Sequence, residues 1–374
     1  MRTRAIRAAL LALLPLGAAL HALAAASPEQ VEQWYARGVY PLLIRVLAPL
    51  SSAVPFSLAE WLAGGLGLGL VALALARWRR ARRAGVGRLR LVGAGLVWLV
   101  GLAGLVYLWF LLAWGLNHQR PPAAELFGLD ARPARPSELA ALCAELVESA
   151  NALRVGRLED ADGVMRLAAG RAASLARVGE GFGRAARSTG MPLAGGPGIA
   201  VKRPLVSPLL WRLGLTGVYV PFTAEAHVND TVPDPELPFV AAHELAHLSG
   251  FAREDEASWV GQRACALHPD ADHRYSGALA MSLHALAALA RADRGAYSEL
   301  AARRSAGVAR DVAALAAWND RYRGAARRIA RRVNDGYLKS QGDADGVRSY
   351  GRVVDLLLAE RRARLAAAGP GSDP

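Results

Sequence analysis

The sequence predicts an α-rich membrane protein, with three N-terminal transmembrane helices followed by a mainly helical α+β domain carrying a small sheet. Three observations predict it: three long apolar runs in the first 114 residues, apolar residues at helical spacing through most of the remainder, and one stretch dense in Val, Tyr and Phe. The 374 residues are 53% hydrophobic with a mean hydropathy of +0.18, more apolar than an ordinary water-soluble chain. Net charge is +13, but the first 114 residues hold 12 Lys and Arg against 3 Asp and Glu, while the rest hold 33 against 29. The basic surplus therefore belongs to the apolar third, where it has topological meaning. No interleaving of basic and aromatic residues suggests a nucleic-acid partner.

Residues 8–26 form the first apolar run, behind Arg2, Arg4 and Arg7. It is just long enough to span, and although "AAAS" resembles a signal-peptidase site, retention as an anchor is favoured. Residues 27–54 mix Trp34, Tyr35 and Tyr40 with Arg37 and Arg45 and read as an interfacial amphipathic segment. The second run covers about 55–76 and the third 91–114, with "RWRRARRAGVGRLR" in the loop 77–90 between them. Seven arginines there hold this loop on the cytoplasmic side, so everything after residue 115 is expected on the outer face of a bacterial cytoplasmic membrane. Gly65 and Gly69 have the small-xxx-small spacing of close helix packing in lipid.

Residues 115–366 are long enough for one full core. A helix is expected after Ser137, a Gly/Pro-rich loop over 180–204, and strand structure within "GVYVPFTAEAHVND". Helices are expected near 239–249, 253–267, 276–294, 306–333 and 345–366, before a disordered tail at 367–374. Cys143 and Cys265 are too few for a disulfide framework, and two buried free thiols are at least as good a reading as one bond.

The chemistry concentrates in "PELPFVAAHELAHLSGFAREDEASW". Pro238 suits a helix start and Gly250 its end, so His243 and His247 lie one turn apart on one face and can chelate Zn²⁺. Glu244 projects about 100° around the axis from His243, where a carboxylate reaches a water rather than the metal. In the pattern H-E-x-x-H-x-x-G-x-x-H the third ligand is a histidine, but that position is Arg253, which cannot bind zinc. A carboxylate from the acidic run on the next helix would complete the set, with Glu254 the first choice beside the small Ala257 and Glu256 the alternative. The acids also suit a helix N-terminus irrespective of any metal.

At these residues the chain resembles an uncharacterised family of bacterial membrane-anchored zincin-like proteins, a domain of unknown function similar in motif to gluzincin metallopeptidases. The resemblance rests on "SPEQVEQWYARGVYPLLIRVLAPLSSAVPFSLAE", "WGLNHQRPP", "GVYVPFTAEAHVN", the HExxH stretch and "VNDGYLKSQGDADGVRSYGRVVDLLLA". It implies a zincin-like domain outside the cytoplasm, one zinc per chain on His243 and His247, and Glu244 as catalytic acid/base. The gluzincin signature E-x-x-A-[DN] falls on Glu254 to Ser258, supporting Glu254. Its last position is serine here, which puts the usual partner of a zinc histidine in doubt.

An oxyanion stabiliser is also needed. Tyr350, Arg348, Tyr337 and His284 are candidates, though packing or a surface hydrogen bond is the plainer reading of each, and His227, His268 and His273 read as ordinary polar residues. The expected function is a membrane-tethered zinc metallopeptidase acting on polypeptides. The alternative is a metal-binding, non-hydrolytic envelope sensor or scaffold, against which an intact Glu244 argues.

Overall fold

The three apolar runs fold as helices, in a computed structural model that describes residues 2–189, 198–321, 324–341 and 352–368. They are α1 (Arg2–Ala25), α4 (Leu58–Arg83) and α5 (Arg88–Ala113), and within them Ile6–Ala25, Leu58–Arg83 and Leu89–Ala113 are long and apolar enough to cross a membrane. α4 continues through Arg77–Arg83, so half of the expected arginine loop, with five of its seven arginines, is the last turns of a helix, where cations suit the helix dipole. Close packing falls elsewhere than on Gly65 and Gly69. Nothing lies within 4 Å of where a Cβ on either would stand, whereas Gly101 and Gly104 of α5 admit Leu10, Leu13 and Leu14 of α1. The α1–α5 seam also carries a His21–Tyr107 hydrogen bond of 3.0 Å.

Between α1 and α4 the chain runs through α2 (Pro28–Gln30), a wide π-helical stretch (Val31–Val39) and α3 (Tyr40–Ser52). The N–H of Tyr40 donates to Tyr35 O, five residues back, and this wider winding puts both rings on one side, 5.8 Å apart. Tyr35, Tyr40, Ile44 and Ala48 are buried, while Trp34, Leu42, Val46 and Leu50 face outwards. The segment is amphipathic as expected, but its inner face joins the core of the following domain. The boundary expected at residue 115 therefore does not separate two packed bodies.

The remaining helices are α6 (Ala123–Leu126), α7 (Pro136–Arg154), α8 (Arg171–Thr189), α9 (Ser207–Leu213), α10 (Leu237–Leu248), α11 (Glu254–Ala266), α12 (Ala271–Ala292), α13 (Arg294–Ala302), α14 (Ala306–Asp320), α15 (Ala325–Ser340) and α16 (Val353–Ala368). α10 lies at the centre, with Leu237, Ala241, Leu245 and Leu248 fully buried, α8, α11 and α12 packed against it and α7 lying on α12.

Part of the expected glycine loop is helix. "GEGFG" lies in α8, where a Cβ on Gly181 would strike the backbone carbonyl of Ala264, so this glycine serves contact between α8 and α11. The long helix expected at 306–333 is two, because Gly324 starts a new one and Arg327 donates to the backbone and side-chain oxygens of Asn319 at the end of α14 (2.7 and 3.0 Å). α13, not expected, starts at Asp293, whose carboxylate accepts from Ala296 N–H at 3.0 Å.

The strand-like stretch is a hairpin, β4 (Gly217–Val220) and β5 (Glu225–Val228), turning at Pro221. A short strand β3 (Val201–Lys202) pairs parallel to β5, giving the order β3–β5–β4 and leaving β4 at the edge. A separate two-stranded pair joins β1 (Leu158–Glu159) to β2 (Met165–Arg166).

The sheet is fastened to the second span. Glu225 accepts from the N–H groups of Leu58 and Ala59 at the start of α4 (2.9 and 2.7 Å) and from Lys202 Nζ at 2.5 Å. His227 Nε2 lies 2.9 Å from Ser57 Oγ, the N-cap of the same helix. Glu60 accepts from Leu205 and Val206 N–H, just before α9.

Candidate metal centre

The 3.6-residue repeat of α10 stacks His243 above His247, their rings 4.7 Å apart. The helix stops at Ser249, and Gly250 takes φ 89°, a left-handed turn that a side chain resists. That turn returns the chain antiparallel as α11, with Arg253 extended at its N-cap and Glu254 in its first turn. Ala257 is fully buried between the helices, and a Cβ on Gly261 would stand 3.0 Å from His243 N, so small residues let α11 come close.

The result is a cluster. Glu254 Oε2 lies 3.1 Å from His243 Nε2 and 3.5 Å from His247 Nε2, and the three ligand atoms all lie within 4.8 Å of one another. Tetrahedral coordination with bonds of about 2.0–2.1 Å places donor atoms about 3.4 Å apart, so the spacing suits a metal ion. The other ring nitrogens are engaged: His247 Nδ1 is 2.8 Å from Phe251 O and His243 Nδ1 is 3.2 Å from Ser258 Oγ. A proton on each Nδ1 leaves the Nε2 lone pairs aimed at the common point. Ser258 therefore stands where the resemblance expects Asp or Asn, and no other partner is needed.

Glu256 is engaged elsewhere. Its Oε1 accepts from Ala123 N–H at 2.8 Å and from Arg253 Nη1 at 2.9 Å. Asp255 faces Arg352 at 3.3 Å.

Three residues from the membrane-proximal segments satisfy carbonyls at the C-terminal end of α10, which the helix itself cannot pair. Trp114 Nε1 donates to His247 O (3.0 Å), Tyr40 Oη to Leu248 O (2.9 Å) and Arg120 Nη1 to Gly250 O (2.7 Å). Arg120 is held in turn by Glu32 at 2.6 Å. The sequence marks these residues only as aromatic and polar groups among apolar neighbours, with no periodicity linking them to the histidines.

A cavity of about 540 Å³ opens over the cluster, lined by Phe110, Trp114, Tyr219, Phe222, His284 and Tyr337 among others. Glu244 lines it but is not one of the clustered ligands. Its carboxylate faces Gly217 of the edge strand, where a Cβ would collide with it. Tyr337 Oη is 3.2 Å from His118 Nε2. Tyr350 and Arg348 lie outside the described residues. His268 and His273 stack on each other with centroids 3.7 Å apart, away from the cluster. Cys143 and Cys265 are buried and free.

Burial governs the electrostatics. Desolvation lifts the Glu244 carboxyl to about 8, although His247 pulls it down and Glu254 adds to the rise. Burial also opposes charge on Glu254 and His247, but each overrides it for the other: the carboxyl is held far below its ordinary range and the imidazole above its own. That ion pair is what a cation would replace. Burial, with His247 and Arg253 adding to it, drops His118 to about 3, and burial beside His243 drops His284 to about 4. Burial and the charge of Glu254 push the Tyr337 phenol up, so it stays a donor. Desolvation lifts Glu236, another lining residue, to about 7, and its Oε2 has no hydrogen-bond partner.

Fold and site together define a class: a mainly helical chain with three helices long and apolar enough to cross a membrane and a largely buried His, His, Glu cluster that could hold a metal ion. The family model described as "protein of unknown function (DUF3810)" matches residues 35–358, and the chain belongs to that family. No curated protein and no solved structure shows significant similarity to it.

Proposed function

We propose that the protein is a membrane-tethered zinc metallopeptidase that hydrolyses peptide bonds, with its cavity on the outer face of the cytoplasmic membrane. The observation that carries the reading is the joining of two kinds of group in one cavity. His243, His247 and Glu254 form a ligand set with both imidazole tautomers held, and Glu244, a buried carboxylate outside that set, lies against an edge strand. Imidazole and carboxylate donors suit zinc.

When bound, zinc supplies Lewis acidity to a water and to a substrate carbonyl. His243, His247 and Glu254 would hold it, with Ser258 and Phe251 O fixing the two rings. β4 offers unpaired backbone groups to an extended peptide, laying a scissile bond along the cavity beside Glu244. Glu244 takes a proton from the attacking water on its carboxylate and delivers it to the departing amine nitrogen. Tyr337, a donor at the cavity wall, is the group placed to receive the developing oxyanion, and its contact with His118 orients it.

The test uses the full-length protein in detergent or liposomes. One zinc per chain by elemental analysis, peptide hydrolysis by the native protein, and no hydrolysis by a zinc-retaining Glu244→Gln variant are expected. Hydrolysis undiminished in Glu244→Gln, or a protein that takes up no zinc, refutes the reading.

A further inference from the structure

The metal cluster sits at the edge of a membrane-spanning helix. Ala113 ends α5 and the span, and the next residue, Trp114, donates to the carbonyl of His247 with its ring 5.8 Å from the His247 ring. One turn back, Phe110 lies inside the span and lines the same cavity. From the other side, Leu58 and Ala59, the first residues of the second span, bind Glu225 of β5, the strand that carries β4. Cavity and edge strand are thus pinned to the exit of one span and the entrance of another.

A headgroup layer extends about 5–8 Å beyond the hydrocarbon on each side. The His247 ring, its centroid 5.8 Å from that of Trp114, the first residue past the span, thus stands beside the boundary where that layer begins. The surroundings agree: Trp34, Phe56, Trp61 and Phe222 are exposed, the last at the cavity itself, as aromatic residues at a bilayer boundary are. A peptide bond at the cluster must enter the headgroup layer. A segment next to a hydrocarbon anchor is there already, whereas a folded water-soluble protein would have to push its polar surface in. At about 3.3–3.6 Å per extended residue, that depth is crossed by about two residues beyond the anchor.

We infer that the substrate is a polypeptide anchored in the same bilayer and cut in the few residues adjoining its anchor. This rests on the peptidase reading and narrows it to a substrate class.

The test places a randomised segment of about a dozen residues in four settings: directly after a single spanning helix, directly after an acyl chain, beyond a rigid helical spacer of about 30 residues (~45 Å), and free in solution. The full-length zinc-loaded protein and its Glu244→Gln variant are reconstituted in liposomes with each. A nitroxide on Phe222→Cys reads depth independently of activity, since both native cysteines are buried. Expected are Glu244-dependent cleavage of the directly anchored segments at least about tenfold faster than of the spaced or free ones, and a label shielded from water-soluble relaxants to headgroup depth. Cleavage of the helix-anchored but not the acylated segment, or the reverse, assigns the anchor. Equal cleavage in all four settings, or a label as open to water as a soluble loop, overturns this inference and leaves the peptidase reading standing. No cleavage in any setting by zinc-loaded protein overturns both.

Discussion

Each residue around the cluster has a separable role. Glu254→Ala should lose zinc, whereas Glu256→Ala should keep it and instead lower the thermal midpoint. It strips the acceptor from the buried Ala123 N–H, a cost of about 1–3 kcal/mol. Metal content and a melting curve on both variants decide the pair. Removing the hydroxyl in Ser258→Ala frees the His243 ring, and zinc affinity by competition with a chelator should fall about 10- to 100-fold. Glu236 makes a pH prediction. Its folded value near 7 lies above the ordinary 4.5, so burial favours the neutral acid. The associated stability is fully present below pH 4.5 and disappears as pH rises through 7. At about 1.4 kcal/mol per unit, up to about 3 kcal/mol is involved. Glu236→Gln should match the native protein at pH 4.5 and melt higher than it at pH 8; parallel pH profiles for the two would refute this.

At the scale of elements, the contacts between α10 and α11 and between β4 and α10 depend on small side chains. Gly217→Ala puts a methyl into the Glu244 carboxylate, and misplacing a reacting group by about 1 Å costs around 100-fold in rate. Activity should fall by that order with zinc content unchanged; loss of both would mean that the strand positions the ligands too. The α10–α11 turn was legible in outline, because Gly250 and the acidic run announce a break and a new helix. Which acid faces the histidines was legible only as a preference for Glu254 over Glu256, since both share the first turn of α11, and the packing of Ala257 and Gly261 on α10 is what brings Glu254 to them. The long helix over 306–333 failed for a related reason, since helical periodicity runs on through Gly324 while Arg327 closes the preceding helix end.

For the whole molecule, membrane segments and site are one body. A fragment beginning at residue 115 lacks Tyr35, Tyr40, Ile44 and Trp114, which fill the core and pair with carbonyls at the end of α10. It should bind zinc far more weakly than the full chain and show early amide exchange in α10; native-like protection there would show that the N-terminal third merely anchors. The arginines at the α4–α5 junction carry the expectation that the chain after residue 115 lies outside the cytoplasm: a reporter that works only there should be active when fused after residue 115, and a cytoplasmic signal would overturn the proposed side.

The sequence by itself determined the three apolar helices, the helical character of the rest, and the His243–Glu244–His247 arrangement. Those depend on run length and on spacing within one helix, which local periodicity encodes. Tertiary structure decided which carboxylate meets the histidines, that Ser258 and Phe251 hold their rings, and that Tyr40, Trp114 and Arg120 finish the helix carrying them. Each of these joins groups from different elements, some far apart in the chain, through packing or a single hydrogen bond, and such contacts leave no period in the sequence from which to read them.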